Sequence, residues 1–231
     1  MTVAAVVFDF DGVIANSEPL HFRSYKAVLD DAHVALNERE YYARYLGFDD
    51  EGAFRAIAKD RGLSWSAGFI ANLIERKAEH LEALEADGSV LFPGAADAIR
   101  STSSVMPIAI ASGALGAEIK RVLDQAALTR HFTAIVAAED TPVSKPAPDP
   151  YRRAVALLGA VHGEMDPATC VAVEDSRWGL ESARAAGLRT VGVAQTYPAD
   201  ELGPADVVIR SMLEFDIASL TKRLGAVARK A

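Results

Sequence analysis

The sequence has a single cysteine, no long apolar run and no basic cluster, and each absence excludes a class of protein. With Cys170 alone among 231 residues, an internal disulfide framework and a cysteine-rich metal site are both excluded. No apolar stretch reaches the roughly 18–20 residues that a transmembrane helix requires. The N-terminus lacks the basic start of a signal peptide. We therefore expect a cytoplasmic protein that does not act on membranes.

The charge composition narrows the class of partner. The formal net charge is −8, and the 24 lysines and arginines are scattered rather than clustered. A nucleic acid is therefore not an expected partner, because gripping a phosphate backbone requires a basic surface. A small anionic metabolite is compatible with this composition, since a metal and a few focused cations reverse the sign of the charge locally. The oligomeric state is not fixed by the sequence, and a monomer is compatible with it.

Short apolar runs alternate with helical patterns over most of the chain. The runs with strand character are Val3–Phe8, Pro107–Ala111, Ala134–Ala137, Thr169–Val173, Thr190–Val193 and, more weakly, Asp206–Ile209. Helical patterns lie between the later runs, at about Leu115–Ala126, Pro150–Leu158 and Trp178–Ala186. Runs that are apolar on both faces and separated by helices predict a parallel sheet covered on both sides. The predicted fold is a Rossmann-like, doubly wound α/β domain.

One segment, residues 16–88, breaks this alternation, because it has helical periodicity and no convincing strand. It opens with Ser17-Glu18-Pro19, a typical helix start, and returns through the turn residues Asp87-Gly88 and Pro93-Gly94. Within it, the stretch Phe69–Ala86 carries an apolar helical stripe. The residues of that stripe are Ile70, Leu73, Ile74, Leu81 and Leu84. We predict a core domain of residues 1–15 and 89–231 with a helical insertion of residues 16–88.

Polar residues follow four of the predicted elements at the edge where ligands bind open α/β sheets. They are Asp9-Phe10-Asp11-Gly12, Ser112-Gly113-Ala114, Ser144-Lys145-Pro146 and Glu174-Asp175-Ser176. Converging carboxylates repel one another unless a cation lies among them, and ligands that are all oxygen favour Mg²⁺ over zinc. A small residue pair such as Ser112-Gly113 before a helix offers N–H groups to an anion such as phosphate.

Each of these segments also has an ordinary structural interpretation. Asp9 or Asp11 could cap a turn that Gly12 closes. Asp175 or Ser176 could cap the helix that follows, and Ser112 could do the same for its own helix. Lys145 could be a solvated surface lysine, although three prolines within five positions stiffen its loop. The convergence of all four segments is what favours a site.

The ordered set Asp9-x-Asp11-Gly12-Val13, Ser112-Gly113, Lys145-Pro146 and Glu174-Asp175 resembles the four motifs of the haloacid-dehalogenase-like hydrolases. The resemblance covers essentially the whole chain. The segment Asn16–His21 and the helical insertion resemble the subgroup whose cap domain follows the first motif. That subgroup includes β-phosphoglucomutase and many sugar-phosphate phosphatases.

The resemblance implies a Mg²⁺-dependent phosphatase that acts on a small phosphorylated metabolite, such as a sugar phosphate. Asp9 would be the nucleophile that forms an aspartyl-phosphate, and Asp11 would be the general acid/base. The presence of Asp11 implies phosphoryl transfer rather than carbon–halogen cleavage. The implied metal ligands are Asp9, Asp11 through its backbone carbonyl, and Asp175, with Glu174 either a further ligand or a residue that holds one of the ligands in place. Ser112 and Lys145 would bind the phosphoryl oxygens, beside the backbone of Gly113 and Ala114.

The insertion would be a cap that selects the substrate and excludes water. Within it, His21 and Lys77 match residues of the mutase near its catalytic acid and its substrate. Lys77 lies on the apolar stripe, and its ammonium could instead extend past the stripe to water. A β-phosphoglucomutase-like phosphomutase is therefore the alternative function, although Gly47-Phe48-Asp49-Asp50-Glu51 is acidic where the mutase has an arginine. A non-catalytic binding protein on the same fold is a further alternative.

Overall fold

The computed structural model describes residues 2–46, 48–86 and 90–227. The chain divides into two compact units, Met1–Asn16 with Ser89–Ala231, and Ser17–Gly88. The predicted turn at Asp87-Gly88 and the glycine Gly47 lie outside the described residues. No helix within the described ranges is long and apolar enough to cross a membrane.

The first unit is built on a parallel sheet, to which the described residues contribute six strands. The strands are β1 (Ala5–Phe8), β2 (Ile108–Ala111), β3 (Ala134–Val136), β4 (Cys170–Glu174), β5 (Arg189–Val193) and β6 (Val207–Ile209). Their order in the sheet is β3-β2-β1-β4-β5-β6, and every neighbouring pair is parallel. This order is that of a doubly wound α/β fold, in which the strand order reverses beside the first strand. The predicted fold class is confirmed.

The second unit is helical in its described part, as predicted for the insertion. Its helices are α1 (Glu18–Asp31), α2 (Glu38–Arg44), α3 (Asp50–Asp60) and α4 (Ala67–Ala86). An apolar cluster at their centre includes Val28, Leu29, Phe54, Ile57 and Leu73. Removing such side chains from water contributes about 1.5–3 kcal/mol each, so the unit has a core of its own. Its role as a cap stays a prediction.

Helices cover the sheet of the first unit. They are α5 (Ala95–Ser103), α6 (Gly116–Gln125), α7 (Asp149–His162), α8 (Arg177–Ala185) and α9 (Ile217–Val227). Helix α7 packs the stripe Tyr151, Ala154, Val155 and Leu158 into the core that lies on strands β1, β2 and β4. The predicted strands and helices of this unit agree with the observed ones to within a few residues.

The two chain segments that join the units pair with each other inside the first unit. The backbone N–H of Asn16 donates to the carbonyl of Val90 over 2.6 Å, and that of Phe92 donates to the carbonyl of Ile14 over 2.9 Å. Ala15 and Leu91 form an antiparallel bridge between these two bonds. The insertion therefore leaves and re-enters the core at adjacent points.

Strands β1 and β4 are neighbours at the point where the sheet order reverses. Phe8 at the end of β1 is in register with Ile110 of β2 and with Val173 of β4. Residues that follow these three strands therefore emerge side by side at one edge of the sheet. A crevice forms at such a position in open α/β sheets and is where their ligands bind.

Candidate active site

Three buried carboxylates meet where β1 and β4 end. Asp9 follows β1, and its backbone N–H donates to the carbonyl of Val173 over 2.9 Å. Glu174 is the last residue of β4, and Asp175 comes next. One oxygen from each of Asp9, Glu174 and Asp175 lies within 4.8 Å of the others. The sequence pattern placed these acids at the edge, and parallel pairing of β1 with β4 brings them together.

Lys145 is drawn into this acidic cluster. Its Nζ lies 2.8 Å from Asp9 Oδ1 and 2.6 Å from Glu174 Oε1, and its side chain is 13% exposed. The interpretation of Lys145 as a solvated surface residue is therefore wrong. A lysine side chain gives up considerable rotamer freedom when it is buried, and the proline-rich loop that carries it limits the backbone freedom that must be lost as well.

The sequence allowed either Asp175 or Ser176 to cap the helix that follows β4, and in the structure Ser176 is the cap. Ser176 is the N-cap of α8, and its Oγ accepts a hydrogen bond from the backbone N–H of Gly179 over 3.1 Å. The Asp175 side chain instead approaches Gly12, which has a φ of +76°. A Cβ at Gly12 would lie 1.8 Å from Asp175 Oδ2. Glycine is required here both by the positive φ and by the close approach of the carboxylate.

The charges of the cluster are unbalanced. Burial, with the neighbouring Glu174 carboxylate, raises the pKa of Asp9 well above its ordinary value and the pKa of Asp175 to about 7. Burial opposes the charged form of Lys145, but the carboxylates of Asp9 and Glu174 outweigh burial and raise its pKa. Three carboxylates against one lysine leave a surplus of negative charge in a buried place, which is costly without a further cation.

A divalent metal fits this donor set. The clustered atoms are carboxylate oxygens, the ligands that Mg²⁺ and Ca²⁺ prefer in proteins. A bound cation would compensate the surplus that raises the pKa values of Asp9 and Asp175. Asp11 is partly buried, and its charge also raises the pKa of Asp175, so it lies close to the cluster.

Ser112, Gly113 and Ala114 follow β2 at the same edge, but they do not begin a helix. Ser112 is 2% exposed, and its Oγ accepts a hydrogen bond from the backbone N–H of Ala114 over 3.0 Å. Helix α6 begins only at Gly116, with Leu115 as its N-cap. The interpretation of Ser112 as an N-cap is therefore wrong, because its hydroxyl closes a tight turn before the helix.

In the second unit, His21 and Lys77 contact each other. Lys77 Nζ lies 2.9 Å from His21 Nδ1 and 2.9 Å from Asp50 Oδ1, and its side chain is 3% exposed. The interpretation that the ammonium extends to water is therefore wrong. Tyr25 completes the group, because its hydroxyl donates to Asp50 Oδ1 over 2.5 Å and its ring centroid lies 5.0 Å from Lys77 Nζ.

Each acid of the run 49–51 has a local partner in the structure. Asp49 caps α3 by accepting from the backbone N–H of Gly52 over 2.7 Å. Asp50 binds Lys77, and Glu51 pairs with Arg55 on the surface. The run is thus explained by contacts inside the second unit.

Sequence reasoning missed Gln195 and Thr196, which follow β5. Gln195 Nε2 donates to the carbonyls of Gly12 (2.9 Å) and Val13 (3.2 Å), and its Oε1 accepts from the backbone N–H of Met212 over 3.1 Å. Gln195 therefore fixes the turn that follows Asp9 and Asp11. A hydrogen bond with Thr196 favours the charged form of Asp175 and so partly opposes the rise in its pKa. The signal in the sequence is that both polar residues follow the predicted strand Thr190–Val193 at the same edge as the acids.

The sheet order and the acidic cluster together define a class of protein, an α/β enzyme whose chemistry lies at the switch point of a doubly wound sheet. The family follows from the sequence as a whole. Residues 6–193 match the model of the haloacid dehalogenase-like hydrolases, and the chain belongs to this family.

Several proteins are similar to this chain over nearly their whole length. Protein CbbY of Rhodobacter capsulatus is 34% identical, with 89% of this chain and 92% of that protein covered. Hexitol phosphatase B of Escherichia coli strain K12 is 29% identical, with 94% and 96% covered. Beta-phosphoglucomutase of Bacillus subtilis strain 168 is 28% identical, with 94% and 93% covered.

A solved structure shows the same fold. The crystal structure of CbbY from Rhodobacter sphaeroides, in complex with xylulose-(1,5)bisphosphate, has a TM-score of 0.80 to this chain at 26% identity. The comparison covers 95% of this chain and 99% of the other.

Proposed function

We propose that this enzyme is a Mg²⁺-dependent phosphatase that hydrolyses a small phosphorylated metabolite, a sugar phosphate, through an aspartyl-phosphate on Asp9. The observation that carries the proposal is the position of Asp9. It is a buried carboxylate at the switch point of the sheet, held by Lys145 and set among Glu174 and Asp175. The relatives named for phosphatase and phosphomutase activities support the same chemistry.

In this mechanism Asp9 and Asp11 divide the chemistry. A carboxylate oxygen of Asp9 attacks phosphorus, and the bond between phosphorus and the ester oxygen breaks. Asp11 donates its proton to the departing oxygen. Asp11 then accepts a proton from a water molecule, which attacks phosphorus, releases inorganic phosphate and regenerates Asp9.

The metal would be held by Asp9, Glu174 and Asp175, with the backbone carbonyl of Asp11. A divalent cation held there would supply positive charge that offsets the repulsion of the Asp9 carboxylate and the anionic phosphoryl group. The protein supplies the remaining positive charge through Lys145, which its pKa keeps protonated at neutral pH.

Ser112 and Lys145 would bind the oxygens of the phosphoryl group, beside the backbone of Gly113 and Ala114. Ser112 follows a strand adjacent to β1, so its hydroxyl emerges at the same edge as Asp9. A lysine that already contacts the nucleophile can bridge to the group that the nucleophile attacks. These contacts fix the phosphoryl group for in-line attack.

The second unit is proposed to be the cap that selects the substrate, through His21 and Lys77. Because Asp50 compensates the charge of Lys77, this pair does not present a free cation to a second phosphate. The arrangement supports a substrate with one phosphate and a hydroxyl-rich remainder, which such polar groups recognise by hydrogen bonds.

The first test is phosphate release from a panel of sugar monophosphates, with Mg²⁺ and with excess EDTA. We expect release that depends on Mg²⁺, because the carboxylate cluster has a charge surplus that EDTA would leave uncompensated. Equal release in EDTA would contradict the metal assignment. Preference for sugar bisphosphates over monophosphates would contradict the proposed substrate class.

The contact between His21 and Lys77 favours one second candidate, a phosphomutase, because both residues match the mutase pattern. The same panel distinguishes the two functions. Conversion of β-glucose 1-phosphate to glucose 6-phosphate with a bisphosphate primer, without net phosphate release, would replace the phosphatase proposal with the mutase.

A further inference from the structure

Tyr151 is a fully buried tyrosine that contacts both Glu174 of the acidic cluster and Lys145. It is the third residue of α7 and is 0% exposed. Its hydroxyl donates to Glu174 Oε1 over 2.7 Å, and its ring centroid lies 5.2 Å from Lys145 Nζ. The side chain thus binds the carboxylate by its polar end and the lysine by its ring face.

Glu174, the acceptor of this bond, is 0% exposed and is held from several directions. Its Oε1 accepts from Lys145 and Tyr151, while its Oε2 accepts from the backbone N–H and the hydroxyl of Ser176. A Cβ at Gly179 would lie 1.9 Å from the Glu174 carboxylate, so α8 also limits its movement. Glu174 is therefore a fixed support.

Lys145, by contrast, has two competing anionic partners. Its ammonium lies between Asp9 Oδ1 and Glu174 Oε1, at 2.8 and 2.6 Å. The Tyr151 hydroxyl shares Glu174 Oε1 with the ammonium, which reduces the hold of that oxygen on the lysine. The Tyr151 ring at the same time limits where the ammonium can go. Without the hydroxyl, Glu174 Oε1 has Lys145 as its remaining donor and attracts it more strongly.

We propose that Tyr151 is a positioning residue that keeps the Lys145 ammonium in contact with Asp9 rather than on Glu174 alone. The inference rests on the proposed phosphoryl transfer, in which Lys145 must reach the group that Asp9 attacks. Tyr151 acts through Lys145 and Glu174 and does not itself touch the reacting atoms.

The test is the substitution Tyr151→Phe, which keeps the ring and the core volume and removes one oxygen. Hydrogen bonds to charged groups are worth enough to change a rate by about 10- to 100-fold. We expect kcat on the preferred sugar phosphate to fall by at least about tenfold and KM to change by less than about twofold. In a crystal structure of the variant, Lys145 Nζ should be displaced from Asp9 towards Glu174.

Tyr45→Phe is the matched control. Tyr45 is 2% exposed, and its hydroxyl donates to Asp60 Oδ2 over 2.8 Å in the second unit. The Tyr45→Phe substitution also removes a hydrogen bond from a tyrosine hydroxyl to a carboxylate. The kcat of this variant should stay at the wild-type value, while any loss of thermal stability should be comparable to that of Tyr151→Phe. A kcat of the Tyr151 variant equal to the wild type, or an unchanged contact between Lys145 and Asp9, would overturn the proposal.

The phosphatase activity and the positioning role of Tyr151 are tested by separate measurements. If the wild-type enzyme releases no phosphate from any ester, the proposed function fails. The position of Lys145 in the crystal structures of the wild type and the Tyr151 variant still decides whether Tyr151 positions it. A displaced Lys145 supports the positioning role, and an unmoved one rejects it.

Discussion

Both units of this protein bury a lysine in the same kind of triad, and the two triads differ in the charge of their surroundings. In the first unit, Lys145 and the hydroxyl of Tyr151 both bind Glu174, and the ring lies against the ammonium. In the second, Lys77 and the hydroxyl of Tyr25 both bind Asp50 in the same geometry.

The difference lies in what surrounds each triad. Asp9 and Asp175 add two further carboxylates to the first, which leaves it with a surplus of negative charge. The second adds His21, and its lysine and carboxylate balance. A buried charge surplus is costly unless a ligand compensates it, so the surroundings of the first triad fit the proposed reaction site, and those of the second fit a group suited to recognition and packing.

The largest difference between the two triads is expected for substitution of Asp9, which only the first triad has beside it. An amide cannot attack phosphorus, so Asp9→Asn should lower kcat by ~10³-fold or more in the phosphate-release assay. Because the substitution also removes one unit of the charge surplus, the melting temperature should not fall. Asp97→Asn is the control, since the Asp97 side chain is 91% exposed. Sustained turnover in the Asp9 variant would reject the covalent mechanism on Asp9.

The charge surplus should also make metal binding depend on pH. Burial and Glu174 raise the pKa of Asp175 to about 7, and a carboxylate must lose its proton to bind a metal. Protons therefore compete more strongly as pH falls, and the Mg²⁺ affinity should drop about tenfold between pH 8 and pH 6. Isothermal titration with Mg²⁺ alone measures this change.

A Mg²⁺ affinity that does not change between pH 6 and pH 8 would contradict the surplus of negative charge in the cluster. The variant Asp175→Asn has no proton to lose at this position, so it should bind Mg²⁺ weakly and with less dependence on pH.

The smallest effect is expected in the second unit, where the charges of Lys77 and Asp50 balance. Lys77→Met should raise KM for the preferred sugar phosphate by about fivefold and change kcat by less than about threefold, as expected for the loss of one hydrogen bond that binds ground state and transition state alike. The control is Lys59→Met on the exposed face of α3. If Lys77→Met lowers kcat as strongly as Asp9→Asn does, the two triads do not divide chemistry from recognition.

The sequence predicted the parts of the site that lie at strand ends. Asp9, Glu174 and Asp175 follow apolar runs, and parallel pairing guarantees that the ends of adjacent strands meet. Contacts over long separations could not be predicted in this way. The partner of Lys77 is Asp50, 27 positions away in the chain, and the helices must pack before the two side chains meet.

Two further features were not predicted from the sequence, for different reasons. The start of α6 at Gly116 rather than near Ser112 depends on whether the hydroxyl closes a turn or caps a helix, and both choices suit the same residue types. Tyr151 offered a signal, since a tyrosine on a buried apolar stripe needs a partner for its hydroxyl. The identity of that partner, Glu174, depends on how α7 packs on β4.

The pairing of segments 14–16 and 90–92 has a consequence for how such an enzyme diversifies. Because the insertion leaves and returns at adjacent points, its length and sequence can change without altering the register of any strand in the sheet. Evolution can therefore exchange one insertion for another while the acidic residues Asp9, Glu174 and Asp175, fixed to β1 and β4, stay where they are. With the proposed roles, the chemistry would be inherited with the sheet, and the choice of substrate could be acquired separately.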